Sequence, residues 1–197
     1  MTDRIALPAN AAASHALRCH PATPCAAVQS VRAGWCWQTG GGAPQLRLRY
    51  TLQGRLDALP LPGAQAPRFA DGLWRHTCFE AFVGSPAGSA YHEFNFAPSG
   101  EWAAYGFSAE RQRDAAVDKQ LAQCALAPAA TREGVTLTLE VRLPLAALPA
   151  TEPDASWPLG LTAVIETQDG ALSYWALQHP SAQPDFHARA AWTARLE

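Results

Sequence analysis

Two stretches of strict alternation constrain what this chain can fold into more than any other feature. Leu46, Leu48, Tyr50 and Leu52 alternate with Arg47, Arg49 and Thr51. Val135, Leu137, Leu139, Val141 and Leu143 alternate with Thr136, Thr138, Glu140 and Arg142. Successive side chains of a pleated strand point to opposite faces, so each stretch reads as a strand with one dry and one wet face. Dry faces are stable only against a second layer. Leu46, Leu48, Tyr50, Leu137, Leu139 and Val141 are therefore the expected core.

Turn residues join further runs into hairpins. Pro98-Ser99-Gly100 separates Tyr91–Phe96 from Glu101–Phe107, and Asp169-Gly170 separates Leu161–Thr167 from Leu172–Leu177. Asp-Gly between two apolar runs is a strong hairpin signal. Arg132-Glu133-Gly134 turns into the strand that starts at Val135, and Gly40-Gly41-Gly42 links a first strand near Val28–Trp37 to the second. The count, about eight or nine strands, is that of a sandwich or barrel. The expected fold is all-β, an antiparallel two-sheet β-sandwich. Ser108–Cys124 reads as a short helix or a crossing loop, and Leu56–Asp71, with Pro60, Pro62, Gly63 and Pro67, as a loop. Residues 1–24 show no periodicity and are expected to be a poorly ordered N-terminal arm, with residues 25–197 a single ligand-binding domain.

Composition narrows the partners. The net charge of -2, with 16% charged residues, makes no electrostatic case for nucleic acid or an anionic membrane surface. The N-terminal alanines are interrupted by Pro8, Asn10, Ser14, His15 and Arg18, so no apolar run long enough for a signal sequence or a membrane span forms. Five cysteines, an odd number with no CxxC pair, point to reduced thiols and a cytoplasmic location. There is no GxSxG elbow, Walker motif or GxGxxG unit.

The segment Leu73–Val83 breaks the simple pattern. Phe79, Ala81 and Val83 share one face, while Glu80 sits with Cys78 and Phe82 on the other. The next strand sets Tyr91, Glu93 and Asn95 against His92, Phe94 and Phe96. A carboxylate among bulky neighbours needs donors or a cation. Glu80 and Glu93 are thus either ion-paired to arginines such as Arg75 or Arg142, or part of a ligand site on a concave sheet face. A metal set from His76, Cys78 and Glu80 fails, because i, i+2, i+4 positions spread over about 13 Å of strand. A calcium ion on oxygen-rich loops such as Glu152–Asp154 leaves no signature.

Trp74-Arg75-His76-Thr77-Cys78-Phe79-Glu80-Ala81-Phe82, followed by Tyr91-His92-Glu93-Phe94-Asn95-Phe96-Ala97-Pro98-Ser99-Gly100-Glu101-Trp102, resembles the DOMON-like domains related to family-nine carbohydrate-binding modules. Tyr174-Trp175-Ala176-Leu177-Gln178-His179-Pro180 with Pro184-Asp185-Phe186-His187 is similar to a bacterial subgroup of that superfamily. The resemblance implies a β-sandwich that binds sugars or haem. Its sugar-binding members clamp a terminal sugar between two tryptophans above a carboxylate and amides. Trp74 and Trp175 would be the walls and Glu80 with Asn95 the polar floor, with Arg75, Gln178 and His179 nearby. The arginine expected on the neighbouring strand has no counterpart, since Asn95 and Phe96 stand there. The expected function is non-catalytic binding of a small molecule, a saccharide, with no cofactor. Two alternatives stand beside it: a haem-binding domain, whose ligands would have to be histidines because Met1 is the single methionine, and a protein-interaction module using the same concave face. Glycoside hydrolysis would need two carboxylates at a defined separation, and nothing marks Glu80 or Glu93 as a proton donor.

Overall fold

A computed structural model of the protein describes residues 14–39, 42–150 and 155–197. Its strands run in chain order as β1 (Ser14–Cys19), β2 (Val28–Gln38), β3 (Gln45–Gly54), β4 (Arg68–Phe69), β5 (Cys78–Gly84), β6 (Tyr91–Phe96) and β7 (Glu101–Ala109). They continue as β8 (Gln112–Arg113), β9 (Ala129–Glu133), β10 (Thr136–Pro144), β11 (Trp157–Glu166), β12 (Leu172–Ala176) and β13 (Ala194–Leu196). One helix, α1 (Ala115–Leu121), lies between β8 and β9.

The two alternating stretches pair with each other. β10 lies antiparallel to β3 with Leu139 opposite Tyr50 and Leu137 opposite Leu52. All six expected core residues are buried. The Asp169-Gly170 hairpin joins β11 to β12, and Gly170 takes the left-handed φ of 81° that the turn requires.

The sandwich expectation needs one correction. The order is β4-β7-β6-β5-β11-β12-β1-β2-β3-β10-β9, an unbroken ladder. β1 turns the corner: residues Ser14 to Leu17 pair with β2, while Arg18 and Cys19 pair with β12. The result is one curled sheet whose halves face each other, not two separate sheets. Nor is it wholly antiparallel, because the short β4 pairs with β7 in parallel. The expected disordered arm is also corrected over Ser14–Cys19, which is strand β1; residues 1–13 lie outside the described residues, as do Gly40, Gly41 and the segment 151–154. Within the Leu56–Asp71 loop stand a 3-10 turn at Leu56–Ala58 and β4.

Inside the curl the halves interlock. Tyr50 on β3 packs on Phe79 of β5, with ring centroids 5.2 Å apart, and donates its hydroxyl to the Glu80 carbonyl at 2.7 Å. A second apolar cluster covers the outer face of β5, β6, β7 and β11, where the segment between β12 and β13 crosses the sheet. Trp192 anchors that segment. Its ring stacks on Phe82 at 5.8 Å, its Nε1 donates to the Phe186 carbonyl at 2.8 Å, and its indole lies over Gly160, where an added Cβ would come within 2.3 Å. Only glycine on β11 allows that approach.

Candidate functional site

Register explains the site. Across the outer face, Phe82 of β5 stands opposite Glu93 of β6, which stands opposite Tyr105 of β7. One step along, Thr162 of β11 faces Glu80, which faces Asn95. Further along, Tyr174 of β12 faces Val164. From these rows Phe82, Glu93, Tyr105, Glu80, Val164 and Tyr174 form the bed of a cleft of about 430 Å³. The crossing segment, through Pro184, Asp185, Phe186 and His187, walls one side. Trp74, on the 3-10 turn Leu73–Arg75 just before β5, stands at the mouth and is 47% exposed. Arg111 and Arg113, from the β7–β8 hairpin and β8, complete it.

The floor is acidic and buried. Glu80 is buried; its Oε2 accepts from Thr162 Oγ1 at 3.3 Å, and its Oε1 has no partner among the described residues. Glu93 is buried as well, and its Oε1 accepts from Asn95 Nδ2 at 2.7 Å. Burial, aided by the neighbouring Glu93 charge, holds the Glu80 carboxyl well above the usual carboxylate range. Burial likewise pushes Glu93 up to about 7, against the pull of Asn95, Arg113 and Arg111.

The walls are tied to each other. Arg111, the one non-glycine residue at positive φ (57°) among the described residues, donates its backbone N–H to the Tyr91 hydroxyl at 3.0 Å. Its guanidinium pairs with Asp185 at 2.8 Å and so ties the crossing segment to the hairpin. The Arg113 guanidinium lies 4.0 Å from the centroid of the Tyr105 ring, and it pairs with Asp118 at 2.7 Å. His187 Nδ1 is hydrogen-bonded to the Tyr91 hydroxyl at 2.7 Å, and Nε2 approaches Glu93 Oε2 at 3.8 Å. Burial and the Arg111 charge push His187 down to about 4. The proton therefore sits on Glu93 before it sits on His187, so the histidine is neutral wherever Glu93 is ionised and their approach is not an ion pair.

The expected site residues divide. Trp74 and Glu80 both line the cleft. Asn95 does not reach it; fully buried, it holds Glu93 from beneath. Trp175 is a correction: it faces the inner core, 6% exposed, with Nε1 donating to Ser173 Oγ at 3.0 Å. Its neighbour Tyr174 takes the cleft face instead. Gln178 and His179 lie outside the cleft, Gln178 exposed and His179 bonded to the Arg18 carbonyl at 2.8 Å. Arg75 lies over the Trp74 ring, 5.0 Å from its centroid. Neither Arg75 nor Arg142 pairs with the floor carboxyls, since Arg142 Nε donates to Gln38 at 2.8 Å. Tyr105 and Phe107 were missed, although the Pro98–Gly100 turn sets the register that brings Tyr105 beside Glu93. Arg111 and Arg113 were missed too, and the Pro184–His187 segment, part of the family resemblance, was not assigned to the site; chain folding alone brings them to the sheet.

No protein-family profile matches the chain, and no curated protein sequence does. Solved structures do match in shape. A candidate carbohydrate-binding protein from Bacteroides uniformis superposes with a TM-score of 0.61 at 14% identity, over 92% of this chain and 84% of that one. A family-nine carbohydrate-binding module from Caldicellulosiruptor kristjanssonii, in complex with cellotriose, gives 0.49 at 9% identity over 84% of this chain and 72% of its own. The glucose complex of a family-nine module from the same organism gives 0.48 at 8% identity, over 86% and 80%. At these identities the likeness to the Bacteroides protein is one of fold.

Proposed function

We propose that this chain is a non-catalytic binding module that holds a saccharide in the outer-face cleft, with Trp74 and Tyr174 as its apolar surfaces. The observation that carries this reading is the composition of the cleft. Sugars present flat C–H faces and rings of hydroxyls, so a site for them combines aromatic faces with fixed acceptors. Trp74, Phe82, Tyr105, Phe107, Tyr174 and Phe186 supply the first, and Glu93 with Glu80 the second. The fold shared with the Bacteroides candidate carbohydrate-binding protein agrees with it. A relation to the DOMON-like domains and a cytoplasmic location belong to the same proposal, resting on the motif resemblance and the odd count of thiols.

The test is a thermal-shift and calorimetric screen of glucose, galactose, cellobiose and chitobiose, with haem as a control. A sugar at a hundred times its dissociation constant adds about 2.7 kcal/mol of stability. The expected result is stabilisation by at least one sugar that Tyr174→Ala removes. Stabilisation by haem alone, or by none of the panel, would count against the reading. For haem, His187 is the one histidine lining the cleft among the described residues, and its Nδ1 is already engaged by Tyr91.

A further inference from the structure

Asn95 stands between two carboxyl groups. It pairs directly with Glu80 across β5 and β6, and its Nδ2 donates to Glu93. Residues directly opposed in an antiparallel pair have Cβ atoms about 5 Å apart. Yet neither Glu80 Oε1 nor Asn95 Oδ1 finds a donor among the described residues, though the two residues are 2% and 0% exposed. Two buried acceptors without donors, on directly paired residues, are costly, and one proton between them satisfies both. No ligand can supply it to both, because Asn95 does not line the cleft.

The amide makes the argument independent of its own orientation. Asn has one acceptor end and one donor end. Whichever way it is turned, one neighbouring carboxyl meets the NH2 and the other meets the carbonyl. The carboxyl that meets the carbonyl must carry a proton.

We propose that Glu80 is that group, a neutral carboxylic acid whose Oε1–H donates to Asn95 Oδ1, so that Glu80, Asn95 and Glu93 share one proton and the floor carries a single negative charge, on Glu93. The proton assignment stands on the side chains alone and does not depend on the saccharide reading. Groups around the floor agree with a neutral Glu80. Thr162 on β11 donates to its other oxygen, and the Cys78 thiol lies on the same strand. Glu93 lies on β6 one same-face pair along, opposite Phe82, and the Tyr50 hydroxyl is spent on the Glu80 carbonyl from the inner side. Arg111 and Arg113 are paired with Asp185 and Asp118, and His187 is engaged by Tyr91. Burial beside a second carboxyl favours the protonated form.

Infrared spectroscopy of the ligand-free protein at pH 8.5, above the Glu93 value of about 7, tests the Glu80 proton directly. A protonated-carboxyl C=O band that is lost in Glu80→Gln and kept in Glu93→Gln is the expected result. No such band in the wild type overturns the proposal, whether or not the variants fold; a band kept in E80Q and lost in E93Q overturns the assignment to Glu80. Stability gives a second readout. A carboxyl whose folded-state pKa is raised stabilises fully below its unfolded value and loses that contribution as pH rises towards the folded one. The wild-type unfolding midpoint should therefore fall relative to that of E80Q between pH 5 and 9, by about 5 °C or more. A constant offset across that range would contradict it.

Discussion

Trp74 and Trp175 are the same residue type in opposite situations, and the difference comes from one step of the pleat. On β12, Tyr174 and Leu172 look outward while Ser173 and Trp175 look into the core. A tryptophan beside a tyrosine in a strand satisfies the aromatic pattern of a clamp in either register, so the motif was legible and its facing was not. Trp74, in contrast, precedes β5 on a 3-10 turn and is free of pleat parity. Two truncations separate the roles. Trp74→Ala removes an exposed ring and should leave the unfolding free energy within about 0.5 kcal/mol of wild type, while abolishing the sugar-dependent thermal shift. Trp175→Ala opens a core cavity and should cost about 3–5 kcal/mol. Denaturant titration and calorimetry on both variants check this; a Trp74→Ala protein as unstable as Trp175→Ala would remove the tryptophan from the cleft wall.

Elements with strict alternation were readable because burial decides their register. β3 and β10 place every inward residue from Leu46 to Leu52 and from Leu137 to Leu143 in the core. β1 escaped for the opposite reason: of its six residues only Leu17 is buried, so SHALRC carries no period. Its place is fixed by backbone pairing, which sequence pattern does not report. That pairing has a consequence. β1 covers one edge of β2 and one edge of β12, and bare edges template association. A chain beginning at His20 should therefore lose soluble monomer to aggregates in size-exclusion chromatography; an equally monomeric truncation would show the corner strand to be dispensable. The helix was half legible. Asp114 caps α1 by accepting from Ala116 N and Val117 N at 2.9 and 3.2 Å, yet the helix spans only seven residues of a polar stretch. Asp114→Ala should cost about 1 kcal/mol in denaturant titrations; no change would mean that packing of Val117 over Gly106, not the cap, holds the helix.

At the scale of the whole molecule the curled sheet has two dry sides, an inner core between its halves and an outer cluster under the crossing segment. Polar groups that titrate near neutrality lie under the second, so the crossing segment and the pH dependence of stability are linked. Glu93, pushed up to about 7 from an ordinary value of 4.5, binds more protons folded than unfolded between those limits. Its contribution to stability is complete below pH 4.5 and declines as pH rises through 7. His187, pushed down to about 4 from 6.5, works in the opposite sense. Its contribution is complete above pH 6.5 and is lost as pH falls towards 4. Between pH 4.5 and 6.5 the two slopes therefore oppose each other, and the histidine hides part of the carboxyl penalty. Replacing it by asparagine removes the titrating ring and exposes that penalty. The slope of unfolding free energy against pH in His187→Asn should become more negative than in wild type by up to about 1.4 kcal/mol per pH unit across this window. Above pH 7 the two curves should run parallel, separated by whatever the lost Tyr91 contact is worth. Urea titrations at half-unit intervals from pH 4.5 to 8 would measure both. Parallel curves through the whole range would mean that His187 titrates as an open surface histidine, and that the crossing segment does not seal the floor of the cleft from water.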